Sequence, residues 1–197
     1  MAHDEEVLQA IAVTFELTGT QLSEAATRVF ADDLSKYPKG QILGALTRCR
    51  KEVRGRLTLQ DVIGRLDDGR PSPETAWSMI PRDEAVTVVM TEDMAQAWGI
   101  CKPLLDERDQ VAARMAFLEA YRGIVMQARD SAIPVHWFPS LGHSKEGREA
   151  PLLEAVEKGR LTASHVVGLL PYQEEPSAEV AKLIDQVAKK LTKKGEA

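Results

Sequence analysis

Apolar side chains return every three or four residues along most of the chain, and each run stops at a glycine, a proline or a capping residue. That period places each apolar set on one face of an α-helix, so every helix must bury its stripe against a neighbour. In residues 5–17, Val7, Leu8, Ile11 and Phe15, with Ala12 on the flank, share such a face, and Thr18-Gly19 breaks it. Thr20 can cap a second helix through Leu22, Ala25, Ala26, Val29, Phe30 and Leu34, ended by Tyr37-Pro38. A third is expected over residues 39–53 through Ile42, Leu43, Leu46 and Cys49, and a short fourth over 59–66 behind Thr58.

The turn-rich Asp67-Asp68-Gly69-Arg70-Pro71 follows and is expected to be a hinge. Ser72-Pro73 then reads as a cap followed by proline at the first helical position, where its missing N–H costs nothing. Residues 83–90 are ambiguous. Val86, Val88 and Val89 favour a strand, but no second good strand is evident to pair with it, so a helix is expected there. Thr91-Glu92-Asp93 is a capped helix start, and that helix is expected to end at Gly99. The longest helix should run from Pro103 or Asp109 to Arg129, followed by a proline- and aromatic-rich loop over 133–143. Helices over 145–158 and 162–170, a linker over 171–176 and a last amphipathic helix over 177–194 complete the chain. The expected fold is all-α: a small helical bundle over 1–66, a second helical unit over 71–170, and a linker with a C-terminal amphipathic helix over 171–197.

A hydrophobic fraction of 44% and a charged fraction of 28% are those of an ordinary globular chain, and aromatics at 5% leave the core to aliphatic residues. No run approaches the roughly 18 apolar residues that a membrane span needs. The start is acidic, unlike a secretory leader, so a cytoplasmic protein is expected. Cys49 and Cys101 lie far apart in helix-like patterns and are expected as free thiols.

The residues offer little toward catalysis. There is no phosphate-binding loop, dinucleotide fingerprint or nucleophile elbow, so neither a catalytic set nor a cofactor is expected. The histidines, His3, His136, His143 and His165, lack the spacings of metal sites, and none is expected to bind a metal. The one arrangement that would revive an enzyme is His136 and His143 completed by Glu146 or Glu149. The adjacent acids Asp32-Asp33 and Asp67-Asp68 read as solvated or turn positions.

Two stretches stand out as binding surfaces. The net charge is −5, but sign is segregated: an acidic front over residues 1–38 precedes a basic shoulder, Arg48, Arg50, Lys51, Arg54 and Arg56, beside one acid, Glu52. Such a cluster can meet phosphates or an acidic protein surface, or be a solvated face. The second is His136-Trp137-Phe138, where rigid aromatics either anchor a protein interface or plug the core.

Residues 8–66 resemble the small helical domain of phage replicative-helicase loaders and loader-inhibitors. The resemblance rests on Leu8-Gln9-Ala10-Ile11-Ala12, Asp33-Leu34-Ser35-Lys36-Tyr37-Pro38, Ile42-Leu43-Gly44-Ala45-Leu46 and Leu57-Thr58-Leu59-Gln60-Asp61-Val62. It departs at Arg56-Leu57-Thr58, where members of that family tend to show phenylalanine and proline. Pro81-Arg82-Asp83-Glu84-Ala85 and Pro139-Ser140-Leu141-Gly142-His143 are similar to stretches of uncharacterised phage proteins. The resemblance implies a phage or prophage DNA-replication accessory protein, a non-catalytic adaptor whose partner is the replicative helicase or another host protein. The basic shoulder keeps a DNA-binding regulatory protein, or a phage inhibitor of a host system, as the alternative.

Overall fold

The computed structural model describes residues 4–81, 83–170 and 176–195, with side chains described as far as residue 189. Within them the elements run α1 (Glu5–Leu17), α2 (Glu24–Leu34), α3 (Lys39–Glu52), α4 (Leu59–Ile63), α5 (Pro73–Met79), β1 (Val88–Thr91), α6 (Glu92–Asp106), α7 (Gln110–Asp130), β2 (Trp137–Ser140), α8 (Glu149–Glu157), α9 (Ala163–Val167) and α10 (Ala178–Gly195). The fold is essentially all-α, ends in a C-terminal helix, and carries one two-stranded ladder among the described residues. No helix is long and apolar enough to cross a membrane among the described residues.

Local chemistry sets most helix starts. Asp4, Ser23, Thr58, Ser72, Thr91 and Thr162 each accept a hydrogen bond from a backbone N–H in the first turn that has no partner within its own helix. At α4 the cap is reciprocal, because the Asp61 carboxylate accepts from the Thr58 N–H. The second helix therefore starts behind Ser23, not Thr20, and α4 is shorter than expected, ending at Ile63.

The chain divides into two compact units, Met1–Arg70 with Arg122–Val135, and Pro71–Tyr121 with His136–Ala197. In the first, Ile11, Leu34, Leu46, Val62 and Ile63 form a fully buried core, with Phe15 edge-on to Phe30 at 5.1 Å. The Lys39 ammonium reaches Asp4 at 2.7 Å and Glu6 at 2.5 Å at the starts of α1 and α3, and Arg50 donates to the Thr14 hydroxyl near their ends. These two helices thus run parallel.

Residues 122–135, expected in the second unit, belong to the first. Tyr37 Oη donates to the Arg129 carbonyl at 2.7 Å, Arg129 pairs with Asp68, and Met126 packs on the first core. The expected hinge is likewise tied into this unit. Arg70, its side chain 2% exposed, donates to Asp68 and to the Ile133 carbonyl, and Gly69 takes the left-handed φ of 85° that the turn requires.

In the second unit, two expectations fail together. Residues 83–90, expected to be helical, and the loop over 133–143 supply the two strands of an antiparallel ladder, Val88 opposite Ser140, Val89 opposite Pro139, Met90 opposite Phe138 and Thr91 opposite Trp137. Each segment carries the β-branched or aromatic residues that suit a pleated surface. A lone hairpin is marginal in water, and here Val89 is buried in a core with Leu152, Ala155, Val166 and Leu183, from α8, α9 and α10. Below the ladder, Gly142 lies so close to Ala85 that an added Cβ would stand 2.1 Å from its carbonyl oxygen.

Trp77, Phe117 and Tyr121 form a second aromatic group in this unit, and Tyr121 donates to the Pro71 carbonyl. α6 runs on beyond Gly99 and through Pro103 to Asp106, keeping Met94, Ala97 and Cys101 on its buried face. The C-terminal helix packs by Val180 and Leu183. Most of the expected linker over 171–176, His3, Arg82, and the side chains of Lys190, Lys193 and Lys194 lie outside the described residues.

Candidate interaction surfaces

The basic shoulder spans the end of α3 and the extended stretch after it, and it divides by helical position. Arg48 turns toward α4 and the following turn, donating to the Arg65 carbonyl at 2.9 Å and to Asp67 at 3.0 Å. Arg50 turns toward α1, donating to the fully buried Thr14 hydroxyl at 2.9 Å and to Thr47 at 2.8 Å. Both guanidinium groups are half-buried structural ties. Lys51, Arg54 and Arg56 are exposed, and among the described residues none makes an ion pair. The one nearby acid does not neutralise them, because Glu52 accepts from Arg65 Nε at 2.9 Å. Arg50 and Lys51 also occupy the last turn of α3, where a cation is favoured by the helix dipole.

The aromatic stretch is a strand. Trp137 is half-buried against the core of α8, α9 and α10, with the Arg160 guanidinium 4.0 Å above its ring, and Phe138 is half-buried opposite Met90. Only His136 of the three is exposed, and its Nδ1 lies 2.9 Å from Glu92 Oε1. Trp137 therefore contributes to the second unit's core, and Phe138 to its ladder. Of the two acids that would complete a site with His136 and His143, Glu149 has its carboxylate engaged elsewhere. It accepts from the Ser177 hydroxyl, whereas Glu146 is fixed only through its backbone N–H, which donates to Ser144. Among the described residues no three of His, Cys, Asp and Glu are grouped to hold a metal ion.

Electrostatics inside the first unit centre on Asp68. Burial pushes its carboxyl up, but hydrogen bonds and charge from Arg129 and Arg70 outweigh burial and hold it below the usual carboxylate range. Burial also pushes the Cys49 thiol up, which keeps it protonated and poorly nucleophilic.

Two features lie outside the sequence expectations. On α1, Leu17 is 68% exposed and Val13 41% exposed, one turn apart and flanking the Thr14 that Arg50 holds. Their signal is present in the sequence, since both fall off the apolar stripe of Val7, Ile11 and Phe15. In the second unit an open groove of about 950 Å³ lies between the segment after α5, the end of α6 and the loop after β2. Trp98, Lys102, Asp106 and Arg108 line one side, and Glu84 and Leu141 the other. Its charges are mixed in sign, and Lys102 lies 3.6 Å from Glu84 across it. No protein-family model matches the chain, and comparison with curated proteins and with solved structures returned no match.

Proposed function

We propose that this chain is a phage or prophage DNA-replication accessory protein, an adaptor that works by binding the replicative helicase. The observation that carries the reading is that residues 8–66, the stretch that resembles helicase loaders and loader-inhibitors, build one helical core and leave Lys51, Arg54 and Arg56 exposed beside a neutralised Glu52. Charges with no structural duty are available to steer and orient a partner. No catalytic residue, metal or cofactor enters this reading, and it implies a cytoplasmic protein, where the helicase works. The test is an affinity column carrying the full chain and challenged with the purified host helicase. Retention at micromolar concentration is expected, and its absence overturns the reading.

The same three cations favour a second reading, a DNA-binding regulatory protein or a phage inhibitor of a host system. Binding to duplex DNA would then weaken steeply with salt. Replacing the three cations by alanine would flatten that dependence by about 0.9 in log–log slope for each phosphate that is no longer neutralised. Affinity for DNA that does not change with salt overturns it.

A further inference from the structure

We propose that the end of the first unit where α1 and α3 finish together is a docking surface for an acidic amphipathic helix of a partner protein. The inference rests on the adaptor reading and says where, and by what chemistry, the partner is held.

Helix direction makes the surface. Because α1 and α3 run parallel, with Lys39 tying their starts to Asp4 and Glu6 and Arg50 tying Thr14 near their ends, the last residues of both helices share one end of the unit. That end carries exposed Leu17 and Val13 from α1, exposed Lys51 from α3, and exposed Arg54 and Arg56 from the extended stretch that follows. Glu52 is occupied by Arg65, and the exposed Glu16, nearly opposite Thr14 around the α1 axis, borders the aliphatic pair on the flank away from Arg50, one acid against three cations. Aliphatic side chains and a cationic edge thus share one end of the unit.

This combination selects the occupant. Leu17 and Val13 sit at a spacing of four residues, as an aliphatic ridge for a helix laid against them, and the cations beside the ridge call for carboxylates along that helix. Nucleic acid would use the cations and leave the aliphatic pair wet. Stacking surfaces for bases are also missing, since Phe15 and Tyr37 are buried and Phe30 is half-buried against Phe15. The opposite end sets the acids Asp4, Glu5 and Glu6 against Lys39 and so offers no cationic edge.

The full chain with a benzophenone amino acid in place of Leu17 tests this. It is illuminated with the purified host helicase, with duplex DNA, and in host lysate, and the crosslinked segment is sequenced. The expected product is a helical protein segment of net negative charge with aliphatic residues three or four apart. Lys51→Glu, Arg54→Glu and Arg56→Glu together should abolish it, and changing acids of the captured segment to lysine should restore it. Leu17→Asp should weaken binding by about tenfold or more, whereas Val29→Asp, an exposed position on α2, should not. Unchanged circular dichroism and melting establish that each variant is folded. Crosslinking to DNA only, to a neutral or basic segment, or to nothing overturns the inference. An acidic helix from a protein other than the helicase supports the surface and defeats the adaptor reading. A helicase retained equally well by the wild-type, charge-reversed and Leu17→Asp chains supports the adaptor reading and defeats the surface.

Discussion

In the first unit, segments far apart in sequence are joined by side-chain charge, with Asp68 accepting from Arg70 and from Arg129. In the second, distant segments are joined by backbone, along the β1–β2 ladder and where Gly142 abuts Ala85. The two surfaces flagged by the sequence follow that difference. The aromatic stretch of the second unit is part of its ladder, while the basic shoulder of the first divides into two arginines used as ties and three cations left in solvent. A residue's availability to a partner depends on whether its own unit has already engaged it.

Removing the acid that joins the first unit should have the largest effect. Asp68→Ala removes the carboxylate shared by the nearly buried Arg70 and Arg129 and should cost about 4 kcal/mol in urea denaturation. The pH dependence checks the cause. Since the folded pKa of Asp68 is depressed, its contribution is complete above the unfolded value of 3.8 and is lost as pH falls through the folded value. The stability gap between the wild type and Asp68→Asn should therefore narrow on acidification below about pH 4. A gap that stays constant would show that charge is not the cause.

A backbone wedge should be intolerant where open helix surface is not. Gly142→Ala drives a methyl group into the Ala85 carbonyl and should cost about 2 kcal/mol or more. Gly123→Ala, on α7 with nothing within 4 Å of the new atom, should instead stabilise by about 0.5–1 kcal/mol. Thermal melts of the two variants should move in opposite directions.

Smaller effects test the division of the shoulder. Arg50→Ala removes two hydrogen bonds and should cost about 1 kcal/mol. Arg160→Ala, which removes the cation over Trp137, should cost about 0.5–1 kcal/mol and alter tryptophan fluorescence. The triple replacement of Lys51, Arg54 and Arg56 by alanine should leave stability within about 0.5 kcal/mol while changing partner binding. Equal destabilisation by the Arg50 and triple variants would erase the distinction between ties and solvated cations.

Legibility follows the range of the interaction. The range of α1 and the caps at Ser72 and Thr91 could be read because a cap and its N–H are three residues apart. The shoulder could be located from composition, but its division could not, because the partners that draw Arg48 and Arg50 toward other elements lie 17 to 36 residues away. The groove beside Trp98 had no local signal, since its walls come from separate parts of the chain.

Apolar spacing and caps that act within one turn make most of the helices legible in the sequence, which also marks where charge and aromatics concentrate. Tertiary structure decided what required a distant partner: that Val88–Thr91 is a strand because Trp137–Ser140 lies beside it, that residues 122–135 join the first unit through Arg129 and Asp68, and which cations of the shoulder stay in solvent. Strand pairing and ion pairing draw their free energy from groups brought together only when the chain folds, whereas a helix satisfies its backbone four residues away.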